Sequence, residues 1–79
     1  MSSNSAESRS IFAKQMRSFR KKQSMTLKDL SAASGLSYHY LSAVENERAN
    51  ISLDNADKIA SSLGVPLATL FIEHTRRDT

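Results

Sequence analysis

Apolar residues recur along this chain at the spacing of short helices. Phe12, Met16 and Phe19 follow one another at intervals of four and three residues, which places them on one stripe of a helix. No segment alternates convincingly between apolar and polar residues with the period of two that a half-buried strand requires. The pattern predicts an all-α protein whose first helix runs from Arg9 to about Gln23.

Three further helices have recognisable starts. Thr26, Ser37 and Ser52 each precede a run of helix-forming residues, and a hydroxyl at such a position can accept a hydrogen bond from an amide of the first turn. Met25 and Leu36 stand directly before two of these residues, where an apolar side chain can pack onto the new helix. The sequence therefore predicts helix caps at Thr26, Ser37 and Ser52.

Glycine and proline mark the other helix boundaries. Gly35 and Gly64 can adopt the left-handed conformation that ends a helix, and Pro66 suits the first turn of a fifth helix. The predicted fold is five short helices around one core. Seven apolar residues are assigned to that core: Met16, Phe19, Met25, Leu30, Leu41, Val44 and Ile59.

Length limits the domain organisation. A chain of 79 residues supports one hydrophobic core. We expect a disordered leader at 1–8, because that segment is rich in Ser and Asn and has no periodicity. We expect one functional and dimerisation domain at 9–75 and a short tail at 76–79.

Composition argues against several classes of function. The chain has no cysteine and two histidines, which argues against a disulfide framework and a metal site and favours the cytoplasm. No apolar run approaches the length of a membrane span. Neither an acid/base constellation nor a glycine-rich phosphate loop is visible. We therefore expect no enzyme activity, no cofactor, no metal and no membrane association.

Positive charge is concentrated near the start of the chain. Residues 9–28 contain seven cationic side chains and no anionic one, while the net charge of the whole chain is +3. Such a segment is an electrostatic footprint for a polyanion, although a solvated helix face has the same composition. The seven residues are Arg9, Lys14, Arg17, Arg20, Lys21, Lys22 and Lys28.

The joint between the second and third helices points to a specific polyanion. Residues 32–37 read AASGLS, with small side chains before a glycine and an apolar residue after it. Small residues let two helices cross closely, and the glycine makes the turn. This is the layout of a helix-turn-helix unit, whose second helix can lie in the major groove of DNA.

Three segments together resemble a known family. FAKQMRSFRKKQSMTLKDLS, SGLSYHYLSAVEN and ISLDNADKIASSLGVPLATLF follow one another between Phe12 and Phe71. In this order and spacing they are similar to the phage-repressor type of helix-turn-helix regulators, the Cro and lambda-repressor type. Within that type they look most like the small controller proteins of restriction-modification systems.

The resemblance implies a role for individual residues. Four side chains fall where the family contacts base edges: Tyr38, His39, Ser42 and Ala43. Six fall where phosphate contacts are expected: Thr26, Lys28, Ser37, Tyr40, Asn46 and Arg48. A structural ion pair is expected between Arg20 and Glu45. A dimer interface is expected at the C-terminal apolar residues: Leu67, Leu70, Phe71 and Ile72.

Some of these residues have simpler interpretations, and three positions depart from the family pattern. Tyr40 could be a half-buried packing residue and His39 a plain surface residue. Leu27 stands where the family usually has a glutamine that touches the DNA backbone, and Tyr38 stands where controller proteins often have an arginine. The loop at 46–50 lacks the usual glycine. The target sequence therefore cannot be carried over from the family.

The expected function is that of a sequence-specific DNA-binding transcriptional regulator. The resemblance implies a homodimer on a pseudo-palindromic operator in double-stranded DNA, with an autoregulating restriction-modification controller as one form of such a regulator, and no small-molecule ligand. The alternative is an antitoxin-like or protein-interaction module on the same fold, in which Leu27 and Tyr38 form an apolar contact patch.

Overall fold

The computed structural model describes residues 4–72, and this part of the chain contains helices and no strand. Four α-helices are followed by one 3-10 helix. Their bounds are α1 Asn4–Lys22, α2 Leu27–Ser34, α3 Tyr38–Glu45, α4 Leu53–Leu63 and the 3-10 helix Leu67–Phe71. The all-α prediction is confirmed, and the expected tail at 76–79 lies outside the described residues.

The three predicted caps are present. The hydroxyls of Thr26, Ser37 and Ser52 each accept a hydrogen bond from the backbone amide three residues later, at 3.0 Å in every case. Gly35 and Gly64 have φ values of +79° and +73° at the ends of α2 and α4. These signals act within one turn of chain, which is why the sequence alone locates them.

The first helix begins earlier than expected. It starts at Asn4 rather than at Arg9, so residues 4–8 extend the helix into the segment expected to be a disordered leader. Extending an existing helix adds one backbone hydrogen bond for each residue ordered and avoids the cost of a new nucleus. Glu7 also lies in the first turn, where a negative charge is favourable.

The predicted fifth α-helix is a 3-10 helix of five residues. Pro66 precedes it as expected, but the backbone is already extended again at Ile72. The carbonyl oxygen of Ile72 accepts a hydrogen bond of 2.8 Å from the side chain of Gln15. A segment this short is typical of 3-10 structure, and the bond to α1 fixes where it ends.

One core holds the helices together. α1 packs against α3, α4 and the 3-10 helix, while α2 packs against α3 and α4. The predicted core residues of α2, α3 and α4 and Met16 of α1 are buried, whereas Phe19 and Met25 are partly buried against the same cluster. The largest fully buried side chains are Phe12, Met16, Leu30, Leu41, Ile59 and Leu70.

Candidate nucleic-acid interface

The turn between α2 and α3 is held by its own side chains. Gly35 donates its backbone amide to the carbonyl oxygen of Ser31 at 2.9 Å. The Ser31 hydroxyl donates to the carbonyl oxygen of Leu36 at 2.6 Å, and the Leu36 amide donates to the Ser34 hydroxyl at 3.1 Å. These bonds satisfy backbone groups in the turn and limit the angles that α2 and α3 can adopt.

The first turn of α3 presents two aromatic side chains to solvent. Tyr38 is 49% exposed and His39 is also exposed. Their rings meet edge to face with centroids 6.1 Å apart, a geometry that aromatic pairs favour. The opposite side of α3 is buried through Leu41 and Val44. The helix therefore keeps one side in the core and leaves its first turn open to a partner.

Ser42 continues the outward surface of α3, and Asn46 is tied to it. The Asn46 side-chain amide donates to the Ser42 carbonyl oxygen at 2.8 Å and lies 3.4 Å from its hydroxyl oxygen. The Asn46 side-chain amide, which the sequence predicts to bind phosphate, thus already donates to a residue of α3. Ser42 and Ala43 are partly exposed one turn beyond the aromatic pair.

Tyr40 is placed differently from its neighbours. Its ring is partly buried against the core, and its hydroxyl accepts a hydrogen bond from the Asn55 side chain at 3.2 Å. The same hydroxyl donates to the backbone oxygen of Asn50 at 3.4 Å. The Tyr40 hydroxyl thus has two partners inside the protein, and its phosphate contact stays a prediction.

Two residues in this network were not anticipated. Asn55 connects α4 to α3 through Tyr40, and Asn50 also accepts a hydrogen bond of 2.9 Å from Arg9 in α1. Asparagine in a loop or a first helical turn has no pattern that separates it from an ordinary capping or turn residue. Only the tertiary fold, which brings Asn55 to Tyr40 and Asn50 to Arg9, identifies these two side chains.

The predicted ion pair between Arg20 and Glu45 is present. The Arg20 Nε donates to Glu45 Oε2 at 2.8 Å, and Nη2 donates to Oε1 at 3.0 Å. The side chains are 11% and 6% exposed. Arg20 also donates from Nη1 to the carbonyl oxygen of Met25 at 2.8 Å. One guanidinium in α1 thus binds both the residue before the cap of α2 and the end of α3.

Partial burial makes this pair sensitive to the loss of either member. The hydrogen bonds from Arg20 to Glu45 raise the pKa of the guanidinium above its usual value, against the opposing effect of burial. Arg20 is therefore charged at every practical pH. A carboxylate left here without its arginine would be a buried charge without a partner.

The start of α2 carries a complete capping box. The Thr26 hydroxyl accepts from the Asp29 amide, and the Thr26 amide donates to Asp29 Oδ2 at 2.9 Å. This bond from the Thr26 backbone, together with the hydroxyl of the same residue, lowers the pKa of Asp29. Lys28 is exposed beside it. A phosphate approaching this helix start would meet the carboxylate of Asp29 as well as the free amides.

Hydroxyl caps leave a donor available. Thr26 and Ser37 use an oxygen lone pair to accept from the helix, and each hydroxyl can still donate its proton. Both side chains are exposed. Arg48, after the end of α3, is exposed too. These positions remain compatible with their predicted contacts.

The predicted dimer surface is smaller than expected. Leu70 is fully buried inside the chain, and Leu67 is partly buried against the core. Leu70 is therefore removed from the interface, because the short 3-10 helix turns it inward. Phe71 and Ile72 are 39% and 50% exposed. Leu53, which the sequence did not single out, is 74% exposed.

A cleft lies beside this apolar surface. It has a volume of about 370 Å³, and the ring of Phe71 stands 5.2 Å from that of Phe12 on one side. Its lining consists of Ser8, Arg9, Phe12, Asn50, Ile51 and Phe71. Three of these residues are apolar, and Arg9 and Asn50 are hydrogen-bonded to each other.

Residues 4–72 lack the features of two other kinds of site. No described helix is long and apolar enough to cross a membrane. In the same part of the chain, no group of three histidine or acidic side chains stands close enough together to hold a metal ion.

Comparison with known proteins identifies the class. Residues 16–70 match the HTH_3 family, described as helix-turn-helix. The chain belongs to this helix-turn-helix family, and the relatives that it matches are transcription factors and controller proteins rather than enzymes.

Individual relatives are consistent with that class. A hypothetical transcription factor of Neisseria meningitidis serogroup B is 38% identical over 69 residues, which cover 87% of this chain and 65% of that protein. The chain thus spans just under two thirds of that relative. The control protein C.MunI of a Mycoplasma species is 34% identical over 61 residues, covering 76% of this chain and 82% of that protein.

Solved structures agree with the fold. The crystal structure of the hypothetical transcription factor NHTF from Neisseria has a TM-score of 0.81 at 38% identity, covering 84% of this chain and 76% of that one. The crystal structure of the restriction-modification controller protein C.AhdI from Aeromonas hydrophila has a TM-score of 0.77 at 30% identity, covering 80% of this chain and 96% of that one.

Proposed function

We propose that this protein is a sequence-specific regulator that binds a pseudo-palindromic DNA operator as a homodimer, in the manner of a restriction-modification controller. The observation that carries the proposal is the first turn of α3. It exposes Tyr38 and His39, while the buried face and the Arg20–Glu45 pair hold the helix in place.

The chemistry of this turn suits base edges. The Tyr38 hydroxyl can donate or accept, and a neutral imidazole can do each once. The Tyr38 ring also offers apolar surface to a thymine methyl group. The α3 first turn has no acidic residue, so the positive end of the helix dipole remains available to the negative DNA surface.

Two exposed cations elsewhere in the helix-turn-helix support contacts to the DNA backbone. Lys28 and Arg48 are exposed near the start of α2 and the end of α3. Contacts of this kind position the protein without reading sequence. The hydroxyl protons of Thr26 and Ser37 supply two further donors.

A homodimer would supply the specificity that one small unit lacks. Each good base contact discriminates by about 1 to 3 kcal/mol, so a second half-site multiplies the selectivity. Phe71, Ile72 and Leu53 provide exposed apolar surface for a symmetric contact. A two-fold dimer would present its two α3 helices about 34 Å apart, one turn of DNA.

The controller assignment draws on the relatives C.MunI and C.AhdI. In such a circuit, we expect promoter occupancy to follow the concentration of the dimer. The rival proposal of a protein-interaction module loses support at Leu27, which is partly buried against the core. Its apolar patch would be reduced to Tyr38.

The test begins with selection of bound sites from random duplex DNA. Titrations of the selected duplex at several salt concentrations should show affinity that falls steeply as salt rises, since bound cations release counterions from phosphates. Binding that is weak and indifferent to salt would favour the protein-interaction module. Sedimentation at micromolar concentration checks the dimer, and a monomer throughout would rule out the two-half-site arrangement.

Single substitutions separate the two kinds of contact. Tyr38→Ala and His39→Ala should each relax sequence preference, by about 1 to 3 kcal/mol for a good contact. Lys28→Ala should weaken all duplexes alike and reduce the salt slope by about one. Lys58→Ala removes the same charge from an exposed position on α4, and it is the matched control. An equal loss for every duplex with Tyr38→Ala would remove Tyr38 from the base-reading residues.

A further inference from the structure

Glu47 has an unusual backbone conformation at the end of α3. Its φ is +62°, and its amide donates to the Val44 carbonyl oxygen at 3.1 Å. The next amide, that of Arg48, donates to the Ala43 carbonyl oxygen at 2.8 Å. These two bonds form a Schellman motif, in which the left-handed position is usually occupied by glycine.

The same motif ends two other helices. At the end of α4, Gly64 has a φ of +73°, and the amides of Gly64 and Val65 close the motif. At the end of α1, Ser24 takes the left-handed position with a φ of +58°. Of these three left-handed positions, only that of Glu47 carries a charged side chain. A side chain kept in a backbone conformation that it disfavours is an observation from which a function can be inferred.

The surroundings of Glu47 connect it to the DNA-facing surface. The preceding residue, Asn46, is hydrogen-bonded to Ser42 on the outward side of α3. The following residue, Arg48, is exposed. In homeodomains, a variant of the helix-turn-helix, the C-terminal end of the recognition helix contacts the DNA backbone, and the proposed function would bring the end of α3 and the loop beyond it to the same place. An anionic residue in this loop would stand near phosphates.

The carboxylate of Glu47 is not neutralised by the described part of the protein. Glu47 is exposed, and the only salt bridge among residues 4–72 joins Arg20 to Glu45. Its charge is therefore free to act on a bound polyanion. Two like charges closer together than the Debye length, about 10 Å at 0.1 M salt, still repel each other.

We propose that Glu47 repels the phosphate backbone and lowers the affinity of the regulator for every duplex. This inference rests on the proposed function. In a homodimer the repulsion acts twice on one operator. The consequence is a higher protein concentration at half occupancy of the operator, without a change in the bases that are preferred.

The test compares three proteins on the selected operator and on an unrelated duplex. Glu47→Gln removes the charge and keeps the side-chain size and the backbone conformation. It should tighten binding to both duplexes by about three- to tenfold at 0.1 M salt. The dependence of affinity on salt should also become steeper. Asp57→Asn removes an equal charge from an exposed position on α4 and should change affinity much less.

Several outcomes overturn the inference. Unchanged or weaker binding by Glu47→Gln would show that the carboxylate does not oppose DNA. An equal gain with Asp57→Asn would assign the effect to overall charge. If the wild type binds the operator and Glu47→Gln binds it with equal affinity, this inference fails and the proposed function stands. If the wild type binds no duplex in a salt-dependent manner, the proposed function fails, and this inference fails with it.

A second pair of variants separates charge from backbone strain. Glu47→Gly removes the charge and the backbone strain, whereas Ser24→Gly relieves the same kind of strain at the end of α1 without changing charge. Both should raise the melting temperature, since glycine adopts positive φ readily. Only Glu47→Gly should tighten DNA binding. A similar gain in affinity with Ser24→Gly would attribute the effect to strain and overturn the role of the charge.

Discussion

The helices α2 and α3 have the same length, eight residues each, but their starts are built differently. Asp29 completes the capping box of α2 and brings a carboxylate to its first turn. The first turn of α3 has Tyr40 at the equivalent position, and its acidic residue, Glu45, lies at the other end. The start of α2 is therefore satisfied within the protein, whereas that of α3 remains suited to a negative partner.

The difference extends to how each helix is fixed. Local hydrogen bonds hold the start of α2. The end of α3 is held by the distant Arg20, and its first turn is linked through Tyr40 to Asn55. A helix whose outer surface must stay free for DNA needs its orientation set from the inner side. The buried ion pair and the Tyr40 hydroxyl meet that requirement.

The largest expected effect comes from breaking the ion pair of α3. Arg20→Met leaves the Glu45 carboxylate buried without a partner, and we expect a loss of about 3 to 5 kcal/mol in the free energy of unfolding. Urea denaturation followed by circular dichroism measures it. Combining Arg20→Met with Glu45→Leu should recover most of the loss, because well-packed apolar residues can replace a buried pair. A double variant as unstable as the single one would show that the pair acts by geometry and not by charge.

Removing a cap should have a smaller effect that is similar in both helices. Thr26→Ala and Ser37→Ala each delete one hydrogen bond to a first-turn amide, and each should cost about 1 kcal/mol of stability. Ser52→Ala, which removes the cap of α4, is the stability control. Titration with the operator should show that Ser37→Ala also weakens DNA binding whereas Ser52→Ala does not. Equal binding by both variants would contradict a role for the start of α3.

The smallest expected effect concerns the charge at the start of α2. Because the folded protein lowers the pKa of Asp29, its contribution to stability is present above the ordinary aspartate pKa of about 4 and is lost as pH falls through the lower folded value. At pH 7, Asp29→Asn should reduce the melting temperature by about 1 to 3 °C. The difference between the variant and wild type should shrink in acid. A difference that persists at low pH would assign the effect to geometry rather than to charge.

Local signals explain which parts of the fold could be predicted. A hydroxyl cap such as Ser37 and a glycine such as Gly35 determine the backbone within one turn, so the starts of α2, α3 and α4 follow from sequence. The early start of α1 at Asn4 does not, because a Ser- and Asn-rich segment can be helical or irregular depending on its neighbours. The 3-10 form of the last helix likewise depends on the bond from Gln15.

Tertiary packing explains which site residues could not be predicted. Tyr38 and Tyr40 are two residues apart and chemically identical, yet one is exposed and the other is bonded to Asn55. Periodicity places them on different sides of α3 but does not say what each side meets. Leu70 presents the same problem, since an apolar residue in a short terminal helix can face its own core or a partner.

The hydrogen-bonded turn around Gly35 has a consequence for how this protein could change its target. Ser31 and Ser34 secure the turn from within, and neither is among the four predicted base-reading residues: Tyr38, His39, Ser42 and Ala43. Substituting those four alone should redirect the protein to a new operator while the scaffold keeps its shape. Regulators of this construction can therefore diverge in target by exchanging a few exposed side chains, and a laboratory could graft such sets between relatives.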